Sequence, residues 1–398
     1  MCYADVILDL SVEKLDRVFL YSIPDSLSEK AQVGVKVKVP FGRGGRELFG
    51  YIVGMKTVPD FDPERIKDII SVSDDIAVES RLIELAFWIK SRFGGTMSSA
   101  LRTVLPVKTK VKHVVRTYYT LDISDAEADE LLLEYGKKRY VAKVRFLSAL
   151  RENGTIEKAL LTKLGVTSAV VNAFLKDGLI SISEKYRFRN PVDSMDGIMA
   201  RTQNSEIGAS KEDGSGGEEQ GGIALNDVQK NVISRIFEER DSGKKRPSLI
   251  FGVTGSGKTA VYIEIVKRVV SEGKRAIVLI PEISLTFQTL VRFYNVFGDR
   301  VSILNSRMSN GERYDQYLRA KSGDIDVIIG PRSALFAPFE NIGAVVIDEE
   351  HESSYKSGKT PRYDARAVAE HICEKSGAML ILGSATPSVD SFFRAKRG

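Results

Sequence analysis

SLIFGVTGSGKTAVYIEIVKRVV, residues 248–270, is the stretch whose reading decides the fold. Ser248 to Phe251 is a short apolar strand. It runs into Gly252-Val-Thr-Gly-Ser-Gly257-Lys258-Thr259, which fits G-x-x-x-x-G-K-[ST], and Ala260 to Val270 follow as a helix. Strand, glycine loop and helix in that order place backbone N–H groups at a helix N-terminus, where they cradle phosphate. Gly252, Thr254, Gly255, Ser256 and Gly257 supply the cradle. Lys258 reaches the outer phosphates, and the Thr259 hydroxyl suits Mg²⁺. The plain alternative is a glycine-rich turn with no ligand.

Working toward the C-terminus, strand and helix patterns alternate, which predicts an α/β fold around a parallel sheet. Arg275–Ile280, Asp326–Ile329 and Ala344–Ile347 are continuous apolar runs fit for buried parallel strands. The third ends in Asp348-Glu349-Glu350-His351. Acids at that strand end lie at the carboxyl edge of the sheet, beside the phosphate loop. Asp348 suits the Mg²⁺ shell, and Glu349 suits orienting or deprotonating an attacking water. Met379–Leu382 is a fourth run, leading into Gly383-Ser384-Ala385-Thr386.

Toward the N-terminus the pattern changes twice. Tyr3–Leu10, Arg17–Ile23, the strict alternation Val35-Lys36-Val37-Lys38-Val39, and Leu48–Met55 read as short strands of a small barrel or curled sheet. From Val78 to Phe93, residues Leu82, Leu85, Ala86, Ile89 and Phe93 share one helical face, with Trp88 beside them as core. LRTVLPVKTKVKHVVR, residues 101–116, reads as a basic link. Beyond it, Lys137–Leu150 and Ile156–Leu164 read as helices, and Thr167-Ser168 caps a third that ends at Gly178. ISISEKYRFRN then alternates as a ribbon with Lys185, Arg187 and Arg189 on one face. That layout is a winged helix, which binds either DNA or protein. Residues 201–222 carry six glycines and a net charge of −3, as a flexible linker does.

Composition excludes several classes. The 398 residues are 43% hydrophobic and 28% charged, ordinary for packed domains. No apolar run approaches about 18 residues, so no membrane span is expected. The N-terminus does not read as a signal peptide, and a cytoplasmic location is expected. Cys2 and Cys373 cannot make a four-cysteine zinc site, and three histidines argue against a histidine-rich metal enzyme. Residues 137–190 hold 12 Lys/Arg against 4 Asp/Glu, a surplus of +8 in a chain of net +5. Such concentration suits nucleic acid, or else forms a solvated basic face.

GVTGSGKT, PEISLTFQT (281–289), GPRSALFAPF (330–339), DEEH (348–351), SYKSGKTPRYDAR (354–366) and GSATPS (383–388) together resemble the first motor lobe of superfamily 2 helicases. DEEH followed by SYK and PRYDAR is similar to the PriA family of bacterial replication-restart helicases. LDRVFLYSIP (15–24) and VKVPFGRG (37–44) resemble that family's 3′-DNA-binding domain. The resemblance implies a β-rich 3′-DNA-binding domain at 1–105, a winged helix at 106–195, a linker at 196–222 and a RecA-like P-loop lobe at 223–398. It implies ATP and Mg²⁺ as cofactors, 3′-to-5′ unwinding, and forked, branched and single-stranded DNA as partners. Primosome proteins and single-stranded-DNA-binding protein are further implied partners. By matching positions, Gln229 reads adenine. Tyr355, Arg362, Tyr363 and Arg366 sense single-stranded DNA, and Phe19, Gly42 and Lys67 hold a terminal nucleotide.

Two departures stand out. The family has Asp after that phenylalanine, whereas this chain has Leu20, so a 3′-hydroxyl loses an acceptor unless Asp16 or backbone groups replace it. Phe19 can equally be core. The chain also stops twelve residues after Thr386, before the family's zinc-binding insertion, second motor lobe and C-terminal domain. No zinc ligands are therefore expected, and a truncated or fragmentary form is. Two rival readings remain: a DNA-structure-binding protein that binds ATP without productive turnover, and a small-molecule kinase or other P-loop NTPase. GSATPS and PRYDAR argue against the latter.

Overall fold

The computed structural model describes residues 2–105 except 43, 60–61 and 74–76, then 115–186, then 225–397 except 245, 283 and 307. The chain divides into two compact units, and the first is discontinuous. It joins residues 1–110 to residues 190–398, while residues 111–189 form the second.

The first unit begins with an antiparallel sheet. Its strands are β1 (Cys2–Leu8), β2 (Val18–Ile23), β3 (Lys36–Phe41), β4 (Arg46–Lys56) and the short β5 (Ser71–Val72), in the order β2-β1-β4-β3-β5. The alternation read at 35–39 places Val37 and Val39 in the barrel core with Ala4, Val6, Leu8, Tyr21, Ile23, Leu48 and Ile52. Helix α1 (Ser80–Phe93) follows, and α2 (Met97–Val104) begins at a reciprocal capping box between Thr96 and Ser99.

The second unit contains β6 (Val115–Leu121), α3 (Asp125–Lys137), α4 (Val141–Asn153), β7 (Thr155–Glu157), α5 (Ser168–Lys176) and β8 (Ile180–Tyr186). Two sequence expectations are corrected here. The helix expected at 137–150 starts later, as α4 at Val141, since Lys137 is the last residue of α3 and Arg139 between them takes a left-handed φ of 54°. The helix expected at 156–164 begins instead as strand β7, passes through one 3-10 turn at Lys158–Leu160, and ends in turns before Gly165. Ile156 pairs with Tyr119 of β6, and this nonlocal ladder overrides the local helical pattern. β8 also pairs with β6.

The rest of the first unit is α6 (Asp227–Asp241), β9 (Ser248–Phe251), α7 (Lys258–Ser271), β10 (Arg275–Leu279), α8 (Phe287–Phe297), β11 (Val301–Ile303), α9 (Asn310–Ser322), β12 (Val327–Gly330), β13 (Ile342–Ile347), α10 (Ala365–Ser376), β14 (Met379–Ser384) and α11 (Val389–Arg397). Six parallel strands run in the order β11-β12-β10-β13-β14-β9. Alternate residues feed different cores. Ala276, Val278, Val327, Ile329, Ala344, Val346 and Ile381 join α7 and α8 in one. Ile277, Leu279, Ile328, Val345, Ile347, Leu380 and Leu382 join α10 in the other. Both faces are covered, which is why these strands read as unbroken apolar runs.

That second core also contains α1 and α2. Leu82, Leu85, Ala86, Ile89, Met97 and Leu101 belong to the same cluster as Phe336, Val345 and Ile372. Polar contacts reinforce it. Arg81 donates from Nη2 to the Ala337 carbonyl at 2.6 Å, and the Tyr317 hydroxyl donates to Glu79 at 2.5 Å. Lys321 reaches Glu79 at 3.0 Å. Trp88 stacks on His371 with centroids 4.1 Å apart.

Candidate functional site

Because β9 lies beside β14, and β14 beside β13, the segments leaving their carboxyl ends converge. The phosphate loop leaves β9 with Gly255 and Gly257 at φ of +83° and +82°, values that L side chains rarely adopt. A Cβ at Gly257 would also lie 2.3 Å from the Gln229 amide nitrogen. Lys258 opens α7 and turns back over the loop. Its ammonium donates to the Gly252 carbonyl at 2.8 Å and lies 3.7 Å from Glu349 Oε1. The Gly252 N–H donates to the Ser384 carbonyl at 3.2 Å, tying the loop to β14.

Asp348 and Glu349 follow β13 directly. Asp348 is half-buried, and desolvation pushes its carboxyl above the usual range, opposed by the Tyr262 hydroxyl, which donates to Oδ1 at 3.0 Å. Glu349 has a left-handed φ of 45°. Strain of this kind is held by surrounding structure and is common at functional positions. Its carboxylate faces Lys258 on one side and His351, at 3.6 Å, on the other. His351 Nδ1 shares a 2.7 Å hydrogen bond with the Ser384 hydroxyl, so DEEH and GSATPS are directly joined.

Sequence reasoning missed Glu350. It is 0% exposed and accepts hydrogen bonds from Ser388 N, Ser388 Oγ and Ser391 Oγ at 2.6, 3.1 and 3.0 Å. Serines just before a helix are a signal for such an anchor. Tyr262 was also missed, because a tyrosine among valines and isoleucines reads as core.

The aromatic segment departs from its expected role. Tyr355 is 1% exposed, and its hydroxyl donates to the carbonyls of Leu279 and Asp348 at 3.1 and 2.6 Å. Tyr363 is 5% exposed, packs edge-on against Phe336, and its phenol is pushed up to about 12 by burial. Neither ring is available to stack on a base. Arg366 is likewise committed: it grips Asp364 through two hydrogen bonds at 2.9 and 2.7 Å and donates to the Glu350 carbonyl at 2.9 Å. Arg362 is exposed, as a phosphate contact requires. Gln229 also differs from expectation. Its Oε1 accepts from Asn226 N at 3.0 Å, and its Nε2 donates to the Ser256 carbonyl at 3.0 Å. The side chain braces the phosphate loop, and both ends of its amide are engaged.

In the N-terminal sheet Lys67 meets Gly42, and Phe19 lies against Phe41, the residue before Gly42. Phe19 is half-buried and packs edge-on against Phe41 at 5.4 Å, with the Arg17 guanidinium 5.0 Å above its ring. The Lys67 ammonium donates to the carbonyl of Gly42 at 2.8 Å. Asp16 does not replace the missing acid beside Leu20. It accepts from Met97 N at 2.6 Å and pairs with Lys90 at 2.7 Å, holding α2 against α1. In the second unit Lys185 lies in β8, whereas Arg187, Arg189 and the expected linker at 196–222 lie outside the described residues.

The donors fit a magnesium nucleotide. The Thr259 hydroxyl and Asp348 carboxylate are hard oxygen ligands, and Lys258 faces the loop that would hold phosphate. Among the described residues no three His, Cys, Asp or Glu side chains cluster as a metal site. Magnesium needs no such cluster, since it keeps waters and takes phosphate oxygens. Cys2 and Cys373 are both free thiols.

The family profile described as the 3′ DNA-binding domain matches residues 5–106, and that of the type III restriction enzyme res subunit matches residues 222–389. The replication restart protein PriA of Bacillus subtilis is 31% identical across 100% of this chain and 55% of its own length. That of Chlamydia trachomatis is 32% identical across 99% of this chain and 50% of its own. The structure of RecG bound to a three-way DNA junction covers 49% of this chain and 24% of its own, at 22% identity and a TM-score of 0.34. The chain thus spans about half the length of the curated relatives it matches. From its N-terminal DNA-binding domain through its P-loop lobe, the chain is similar to the N-terminal half of the replication restart proteins PriA.

Proposed function

We propose that this chain is the DNA-recognising and nucleotide-binding half of an ATP-dependent, 3′-to-5′ DNA helicase that acts at forked DNA during replication restart. The carrying observation is the convergence of Lys258, Asp348 and Glu349 at one sheet edge. In this reading the phosphate loop binds the β- and γ-phosphates, and Lys258 exchanges the Gly252 carbonyl for phosphate oxygen. Asp348 and Thr259 would hold Mg²⁺, which would supply positive charge at the phosphates. Glu349 orients the attacking water and takes its proton. Gln229 fixes the loop, and its link to the Ser256 carbonyl is the contact that adenine recognition would remodel.

The family resemblance and the sheet at 1–105 support a 3′-end site built of Phe19, Phe41, Gly42 and Lys67, with selectivity weakened by Leu20. The three strands and three helices of the second unit support a winged helix over 106–195, with Lys185, Arg187 and Arg189 on DNA. Arg362 is the DNA contact retained from the aromatic segment. Residues 196–222 link the second unit to the motor lobe, 223–398. Primosome proteins and single-stranded-DNA-binding protein are the expected protein partners, and the bacterial cytoplasm the expected location. No helix among the described residues is long and apolar enough to cross a membrane.

ATP hydrolysis with and without forked DNA tests the reading. Turnover stimulated by DNA, more by forks than by plain duplex, is expected. Nucleotide binding indifferent to every DNA would overturn it. A second reading is that the chain by itself binds ATP and DNA without unwinding. Apolar surface beside the phosphate loop favours it: Phe251 is 62% exposed and Val253 70%. An exposed patch there suits a further covering element.

A further inference from the structure

Tyr262 lies one helical turn beyond Lys258 on α7, buried to 1% exposure. Its ring would pack equally well as phenylalanine. Its hydroxyl has a specific setting, 3.0 Å from Asp348 Oδ1. The space for it comes from β14, where a Cβ on Gly383 would lie 1.6 Å from the hydroxyl and 2.7 Å from the ring carbon bearing it. A glycine thus leaves room on one strand for an oxygen that reaches an acid leaving the next. From the opposite end Tyr355 donates to the Asp348 carbonyl at 2.6 Å. Asp348 is therefore gripped at its carboxylate by α7, the helix that begins at the phosphate loop, and at its backbone by the aromatic segment. A hydrogen bond to a carboxylate is among the stronger ones and restricts rotation about its side-chain torsions.

We propose that Tyr262 is a positioning residue for the divalent cation. Its hydroxyl sets the orientation of the Asp348 carboxylate before metal and nucleotide arrive, with Gly383 as the space that permits it. Residues that support metal ligands from behind commonly matter to affinity by an order of magnitude or more. The proposal rests on the nucleotide-binding reading above.

The test is a titration of the full chain with N-methylanthraniloyl-ADP, in EDTA and across a Mg²⁺ series, for wild type, Y262F, D348N and the double variant. Wild type is expected to bind more tightly with Mg²⁺ than in EDTA. Y262F is expected to keep its EDTA affinity within about twofold and to need about tenfold more Mg²⁺ for half-saturation. In the D348N background, Y262F should shift the Mg²⁺ requirement no further, since the coupling acts through Asp348. General packing damage would lower both affinities together, and thermal melting of each variant reads it separately. An unchanged Mg²⁺ requirement in Y262F, or losses that multiply in the double variant, overturns the proposal and leaves the phosphate loop intact. A wild-type chain that binds no nucleotide in either condition overturns the nucleotide reading, and this proposal with it.

Discussion

Lys258 holds its ammonium between the Gly252 carbonyl and the Glu349 carboxylate, contacts that phosphate would replace. K258A should therefore reduce Mg-nucleotide affinity at least tenfold while leaving the melting temperature nearly unchanged. A fluorescent-nucleotide titration and a thermal melt check both halves. Phe19 is partly open, with a cation over its ring. F19A should weaken binding to forks that carry a strand end at the junction, by roughly 1–3 kcal/mol as for a lost base stack, and spare plain duplex. Equal losses on both DNAs in an anisotropy titration would return Phe19 to a packing role. Residues became legible in sequence when spacing alone defined their chemistry, as with the glycines and Lys258. Tyr355 and Tyr363 were misread because an aromatic ring serves a core and a base stack equally well, and sequence does not say which way it turns. Asp16 was given the wrong role because its partners, Met97 N and Lys90, lie on elements distant in sequence.

At the scale of elements, α11 shows how one buried acid can hold a helix. Glu350 accepts from two serines and a backbone N–H at that helix's start, with the Arg366 guanidinium 3.9 Å away. E350A leaves those donors unmatched and should cost about 2 kcal/mol, as unsatisfied buried partners do. Urea unfolding measures the loss, and faster amide exchange at 389–397 would locate it. A variant as stable as wild type would show that α11 is held by Phe251 and Phe392 instead. The motor strands were legible because burial on both faces makes an apolar run. β7 was not, since its strand state depends on pairing with β6 rather than on its own residues. β6 itself was hidden behind a basic stretch that reads as a link.

Across the whole molecule, the sequence pattern suggested separable blocks, whereas α1 and α2 share a core with the motor sheet. Residues 223–398 expressed alone should therefore bind a hydrophobic dye and aggregate on a sizing column, whereas adding residues 1–105 through a short joining segment should restore a monomer. A stable, dye-silent lobe would mean that this core closes without α1. Residues 1–398, tested alone on a forked duplex with ATP and Mg²⁺, should bind but displace no strand, because translocation needs two lobes that open and close and these residues hold one parallel motor sheet among those described. The discontinuous first unit also bears on how the chain is made. Arg81 emerges from the ribosome 256 positions before its partner Ala337. At about 5–20 residues per second, the apolar side of α1 waits on the order of ten to fifty seconds for its cover. Meanwhile the second unit, residues 111–189, can complete its own fold. Synthesis thus has an interval in which the apolar face of α1 lacks part of its cover, and slowing translation between codons 110 and 340 should lower the soluble yield.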